Sequence, residues 1–184
     1  MILSYDLDLE TLAEADRLSA MRAYSGSHRG VQARQVGTVG ELITTRLMAD
    51  AGVAFADDYR TSHDLRLANG DKVEIKTKER SVALRPSHDC SAPAYNHEHQ
   101  RVEWYVFASA LRREGTKADP AIGRLWRVEV AGVISGARFR RIATLWRKGE
   151  TDPANGTTFW TDCLNVKVSD LRPFGNALAY WRSL

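Results

Sequence analysis

The tightest constraint in this chain is a parity. Between His63 and Lys78, Leu65, Leu67, Val73 and Ile75 hold one count of two, and Asp64, Arg66, Glu74, Lys76 and Lys78 hold the other. Successive side chains of a strand point to opposite faces, so the segment reads as two strands, each with a core face and a charged face. Opposed residues of an antiparallel pair share a face, and a one-residue slip sets Leu65 against Glu74. A two-residue Asn69-Gly70 turn is the first choice from composition, but it places Asp64 opposite Ile75 and is rejected. A three-residue loop of Ala68, Asn69 and Gly70, with Gly70 left-handed, sets Leu67 opposite Asp71 and Asp64 opposite Glu74. Two carboxylates then stand side by side, with Lys76 one step further along.

Carboxylates at cross-strand distance repel each other unless a cation lies between them. Mg²⁺ suits the position, with Mn²⁺ as a substitute, because it takes oxygen ligands and needs only one or two carboxylates besides water and substrate phosphate. The backbone carbonyl of Ile75, between Glu74 and Lys76, offers a further oxygen. A lysine beside such an ion can orient a water, take part in proton transfer and offset developing negative charge. The alternative reading of the same residues is a solvated strand face with cross-strand ion pairs.

Acid, hairpin and Glu-x-Lys together resemble the PD-(D/E)XK nuclease superfamily, which includes restriction endonucleases, junction resolvases and phage recombination exonucleases. The resemblance covers about residues 37–110, and His63 stands where the superfamily's name has proline. It implies an α/β fold with a restriction-endonuclease-like core, a mixed central sheet flanked by helices and an active site at a sheet edge. The superfamily often adds a glutamate on a helix before the hairpin. Here Glu41 lies at the edge of a helical stripe formed by Val39, Leu42, Ile43 and Leu47, and Gly37 and Gly40 would let that helix approach the sheet. An acid near a helix start also serves the macrodipole without any catalytic role. Val102 to Ala110 is a dense aromatic and β-branched run that fits a buried central strand. The resemblance thus implies a metal-dependent deoxyribonuclease, an endonuclease more than an exonuclease. Asp64 and Glu74 would bind the metal, Lys76 would assist the water, and Glu41 would bind metal or an outer-shell water.

Elsewhere the periodicities predict a helix from about Leu9 to Tyr24, a turn or linker over 25–30, and a strand over 125–130. They further predict a helix from Ala131 to Ile142, a strand at 165–168 and a closing helix at 176–183. Gly149 to Gly156 reads as a long loop. Glu79 to Gln100 reads as another, with His97, His99 and Gln100 as a possible substrate-facing group. His88, Cys90, His97 and His99 lack the usual zinc-finger spacing.

At 184 residues with 43% hydrophobic and 27% charged residues, the chain suits one domain. That domain divides into a helical N-terminal segment (1–30), a catalytic core (about 31–110) and a basic C-terminal part (111–184). No apolar run approaches 18 residues and the start lacks a basic signal region, so a cytoplasmic setting without membrane contact is the expectation. Cys90 and Cys163 are expected to be reduced. Residues 101–184 carry 14 Lys/Arg and 8 Asp/Glu, a net +6, against 12 and 15, a net −3, for residues 1–100. A basic half beside an acidic one fits an enzyme that clamps a polyanion while holding cations. Arg138, Arg140, Arg141, Arg147 and Lys148, interleaved with Phe139 and Trp146, are the candidate nucleic-acid contacts, with Lys78 on the charged hairpin face. DNA is the expected partner, RNA is not excluded, and a homodimer or larger assembly fits a chain this short. The rival from another class is a catalytically silent nucleic-acid-binding or assembly protein on the same fold.

Overall fold

A computed structural model describes residues 2–21, 30–60, 63–94 and 101–184. The helices are α1 (Leu9–Met21), α2 (Val31–Asp50), α3 (Gly136–Ile142) and α4 (Phe174–Arg182). The strands are β1 (Leu3–Asp6), β2 (Phe55–Arg60), β3 (His63–Leu67), β4 (Lys72–Arg80), β5 (Asp89–Pro93), β6 (Trp104–Arg112), β7 (Leu125–Ser135), β8 (Thr144–Trp146) and β9 (Cys163–Lys167). Six strands form a mixed sheet in the order β1-β7-β6-β4-β3-β2, and β5-β9-β8 form a second, antiparallel sheet. In the large sheet β4 and β6 run parallel and the other neighbours antiparallel. The architecture is mixed α/β, a six-stranded mixed sheet flanked by helices.

The hairpin forms as its parity requires. Leu65 pairs with Val73 and Arg66 with Lys72, and the Leu67 N–H donates to the Asp71 carbonyl at 2.9 Å. Gly70 closes the three-residue loop at φ +90°, a conformation that side-chain-bearing residues avoid. Leu65, Leu67, Val73 and Ile75 enter a core with Met48 of α2 and Phe174, Leu178 and Trp181 of α4. On the same side, Val36, Val39 and Ile43 of α2 and Leu12 and Ala15 of α1 cover Ala108, Ala110, Leu125 and Val128. The opposite side of the sheet presents Tyr105, Phe107 and Ile134 to Phe139 of α3 and to Cys90, Ala92 and Val166 of the second sheet. Phe139 is fully buried, 4.9 Å from the Tyr105 ring and 5.6 Å from Phe107, and contributes about 1.5–3 kcal/mol by burial.

Four expectations from the sequence change. The N-terminal segment is not wholly helical, because β1 pairs with β7. Residues 131–135 continue β7 rather than starting a helix. Val133 and Ile134 enter cores on opposite sides of the sheet, and at Gly132 an added Cβ would lie 2.5 Å from the Arg172 carbonyl oxygen. The helix begins only at Gly136, where the Ser135 hydroxyl accepts from the Arg138 N–H. The stretch from Glu79 onward is not one loop, since β4 runs to Arg80 and β5 builds the second sheet. Finally, the core does not stop near residue 110, because β7 lies between β1 and β6 in the main sheet.

Candidate functional site

The site is opened by the shortness of β3. Its ladder with β4 covers Leu65 and Arg66, after which the Asp64 carboxylate accepts the Ile75 N–H at 2.7 Å. β4 continues alongside β6 as far as Arg80. Its other edge is therefore left to a cleft of about 360 Å³, lined by Gly37 and Glu41 of α2, by Asp64, and by the β4 residues Glu74 to Lys78. Ser91, Pro93, Cys163 and the segment Thr157–Thr161 form the opposite wall. In an extended strand the N–H and C=O of one residue point the same way, so the Ile75 carbonyl faces the edge that Asp64 occupies.

Glu41 reaches this cleft through a close helix-to-sheet contact. A Cβ at Gly40 would stand 1.8 Å from the Thr77 hydroxyl, so α2 lies against β4 at a distance only glycine permits. Gly37 differs from expectation. A Cβ there would meet nothing nearer than the Glu41 carboxylate at 3.9 Å, so it leaves space beside Glu41 rather than admitting the sheet.

The charges are crowded. Glu74 is only 4% exposed, its Oε1 accepts a hydrogen bond from the Lys76 ammonium, and its Oε2 is buried with no hydrogen-bond partner among the described residues. Burial first, then the charges of Glu74 and Glu41, hold the Asp64 carboxyl well above the usual carboxylate range, while Lys76 and the Ile75 N–H act against them. Lys78 extends the charged face. Lys78 is exposed as a residue, and partial desolvation of its ammonium, then the charge of Arg80, lower its pKa. Asp64, Glu74, Ile75, Lys76, Lys78 and Glu41 thus line one cleft.

The remaining candidates lie elsewhere. Arg138, Arg140 and Arg141 are exposed on α3, which packs on the sheet face that carries Tyr105, and none of the three lines the cleft. Arg147 pairs with Asp162 at 2.8 Å, and the Lys148 N–H bonds the same carboxylate. His97, His99 and Gln100 lie outside the described residues. The His88 Nδ1 accepts from the Arg85 N–H, and burial pushes the Cys90 thiol up to about 12, which keeps it protonated. Among the described residues, no group of three or more His, Cys, Asp and Glu side chains is arranged to hold a metal ion. Nor is any described helix long and apolar enough to cross a membrane.

Sequence reasoning missed the far wall. Trp160 lines the cleft while 71% exposed, on a segment to which the sequence patterns assign no element. The signal available in the sequence was the adjacent aromatic pair Phe159-Trp160, of which the structure buries the first and exposes the second. A scan against family models finds no match, and a search of curated proteins finds no significantly similar sequence.

Proposed function

We propose that the chain is a Mg²⁺-dependent nuclease of the PD-(D/E)XK type, hydrolysing phosphodiester bonds in nucleic acid, with DNA the expected substrate. The observation that carries this reading is the convergence of Asp64, Glu74, Lys76 and Glu41 on the open edge of β4, with one Glu74 oxygen buried and unpartnered. An orphaned buried carboxylate oxygen beside a carboxyl forced toward protonation is a site short of positive charge.

The residues present fit a hard divalent cation. Asp64 and Glu74 would supply carboxylate oxygens and Ile75 its carbonyl, and Glu41 would act directly or through a water. Mg²⁺ is commonly bound through one or two carboxylates plus water and phosphate, and Asp64 and Glu74 suffice to supply the carboxylates. When bound, the ion supplies a water of lowered pKa and neutralises phosphate charge. Lys76, held against Glu74, has its ammonium where it can orient a water and offset charge that develops on the phosphate oxygens. The Ile75 N–H fixes one Asp64 oxygen, so the carboxylate is oriented before substrate arrives. Lys78 is placed to receive a neighbouring phosphate.

A second reading, a silent nucleic-acid-binding protein, draws on the absence of a three-residue metal group among the described residues. One experiment separates the two. Wild type and Lys76→Ala are incubated with supercoiled, linear, single-stranded and branched DNA and a matched RNA strand, in Mg²⁺, Mn²⁺ or EDTA. Metal-dependent cleavage that falls by about 10²-fold or more in the variant supports the nuclease and ranks its substrates. Binding that weakens steeply with salt, without cleavage of any substrate, supports the scaffold.

A further inference from the structure

We propose that Trp160 is a stacking platform for an unpaired nucleobase next to the scissile phosphate, which makes the substrate a strand that is single-stranded or frayed at the cleft. The inference rests on the nuclease reading and adds to it the state of the substrate.

The segment that presents Trp160 is built and held. Thr151 bridges Thr158 across a small antiparallel turn. The Gly149 N–H donates to the Phe159 carbonyl at 2.7 Å, the Phe159 N–H to Glu150 at 2.9 Å, and the Asp152 N–H to Thr157 at 2.9 Å. Asp162 ties the base through Arg147 and the Lys148 N–H, each at 2.8 Å. Phe159 is buried and stacks on Trp146, with centroids 5.2 Å apart and planes 13° from parallel. Phe159 is buried, and Trp160, at the bend that follows it, is left exposed on the lining of the cleft that holds Asp64, Glu74 and Lys76.

An indole left 71% exposed gains little in folding, so its packing does not account for its position. Its π-face suits a planar base, and such stacking is tolerant of sequence. A base inside a duplex already has both faces occupied by its neighbours, so the platform selects one that has left the stack. Lys78, which lines the same cleft, provides a cation for the adjoining phosphate.

The test compares wild type, Trp160→Ala and Trp160→Phe on a blunt duplex, a duplex with single-stranded arms and a single strand, each also with abasic nucleotides around the cleavage position. Cleavage kinetics are measured in Mg²⁺, and anisotropy of labelled oligonucleotides in EDTA reports binding independently of cleavage. Trp160→Ala should raise KM and the oligonucleotide Kd on the order of tenfold for substrates with unpaired bases, leave kcat within about threefold, and leave the melting temperature unchanged. Trp160→Phe should recover most of the loss, and the abasic substrate should abolish the difference between variants. If wild type cleaves these substrates but the variants and the abasic strand are indistinguishable, the platform is overturned and the nuclease stands. An equal loss on the blunt duplex also overturns it, since Trp160 would then touch paired strands. If wild type neither cleaves nor binds any oligonucleotide, the nuclease reading fails and the platform with it.

Discussion

Asp64 and Ile75 are joined across the hairpin by a side chain, the carboxylate accepting the Ile75 N–H at 2.7 Å where the next rung of a strand ladder would otherwise lie. This one substitution of side chain for backbone ends the pairing of β3 with β4. It also turns the charged face of β4 into the wall of a cleft.

The cost of that arrangement should be visible in Asp64→Asn. Burial, Glu74 and Glu41 raise the Asp64 pKa in the folded chain, so the unfolded chain ionises first as pH rises. Stability is then lost from about pH 4 upward through the folded pKa. Asparagine keeps an acceptor for the Ile75 N–H and carries no charge. In EDTA at pH 7 the variant should melt higher than wild type, by about 2–4 °C for each kcal/mol relieved, and its melting temperature should depend less on pH. Mg²⁺ should stabilise wild type and leave the variant nearly unmoved. A lower melting temperature for the variant at pH 7 would sink the account of Asp64 as a strained carboxyl.

Gly40→Ala should separate α2 from β4. The new methyl would fall 1.8 Å from the Thr77 hydroxyl and 2.7 Å from its Cβ, inside the sheet's own volume. Overpacking of this kind costs about 1–3 kcal/mol or more, readable in urea unfolding. Glu41 moves with the helix, so metal-dependent activity should fall as well. Because the Thr77 Cβ itself is too close, adding Thr77→Gly should restore α2 to its seat better than adding Thr77→Ser; equal rescue by both would contradict the clash.

Arg124→Ala tests a buried ionic tie between the far end of β4 and α2. The fully buried guanidinium bonds Glu79 at 3.1 Å, the Gln35 side chain at 2.9 Å and the Ala121 carbonyl at 2.9 Å. Among the described residues, truncation leaves Glu79 paired with Arg112 alone, 3.7 Å away, and should cost about 3–5 kcal/mol in chemical denaturation. Arg124→Lys should recover little, because a point charge cannot replace the guanidinium fork. A loss under about 1 kcal/mol would mean that the network relaxes around the gap.

The arginines of α3 should act through charge alone. Replacing Arg138, Arg140 and Arg141 with Ala should weaken DNA binding at low salt and flatten the salt dependence by about 0.9 for each phosphate no longer neutralised. Titration of binding against salt concentration measures it, and an unchanged slope would assign the three residues to an ordinary solvated face.

Much of the site was legible in the sequence because a strand has a period of two. Leu65, Leu67, Val73 and Ile75 must share a core face, and that requirement selected the three-residue loop and put Asp64 and Glu74 on the other parity, although the ladder itself ends at Leu65 and Val73. The stripe of Val39 and Ile43 likewise defined the buried side of α2, and with it the edge on which Glu41 stands. Periodicity could not foresee β1, the extension of β7 to Ser135 or the second sheet. Short segments such as Leu3–Asp6 and Thr144–Trp146 have no pattern long enough to declare themselves and become strands only when a partner supplies hydrogen bonds. Ala131 to Ser135 is compatible with helix locally, and the space beside Arg172 that only Gly132 can fill holds it in the sheet.

The sequence by itself therefore determined which side chains share a face, since that follows from covalent geometry along the chain. Only the tertiary structure decided which edge of β4 would stay open, and that Trp160 would line the same cleft as Asp64 and Glu74. Those relations join residues roughly 90 positions apart in the chain, and they exist because packing, rather than local periodicity, brings distant segments to one place.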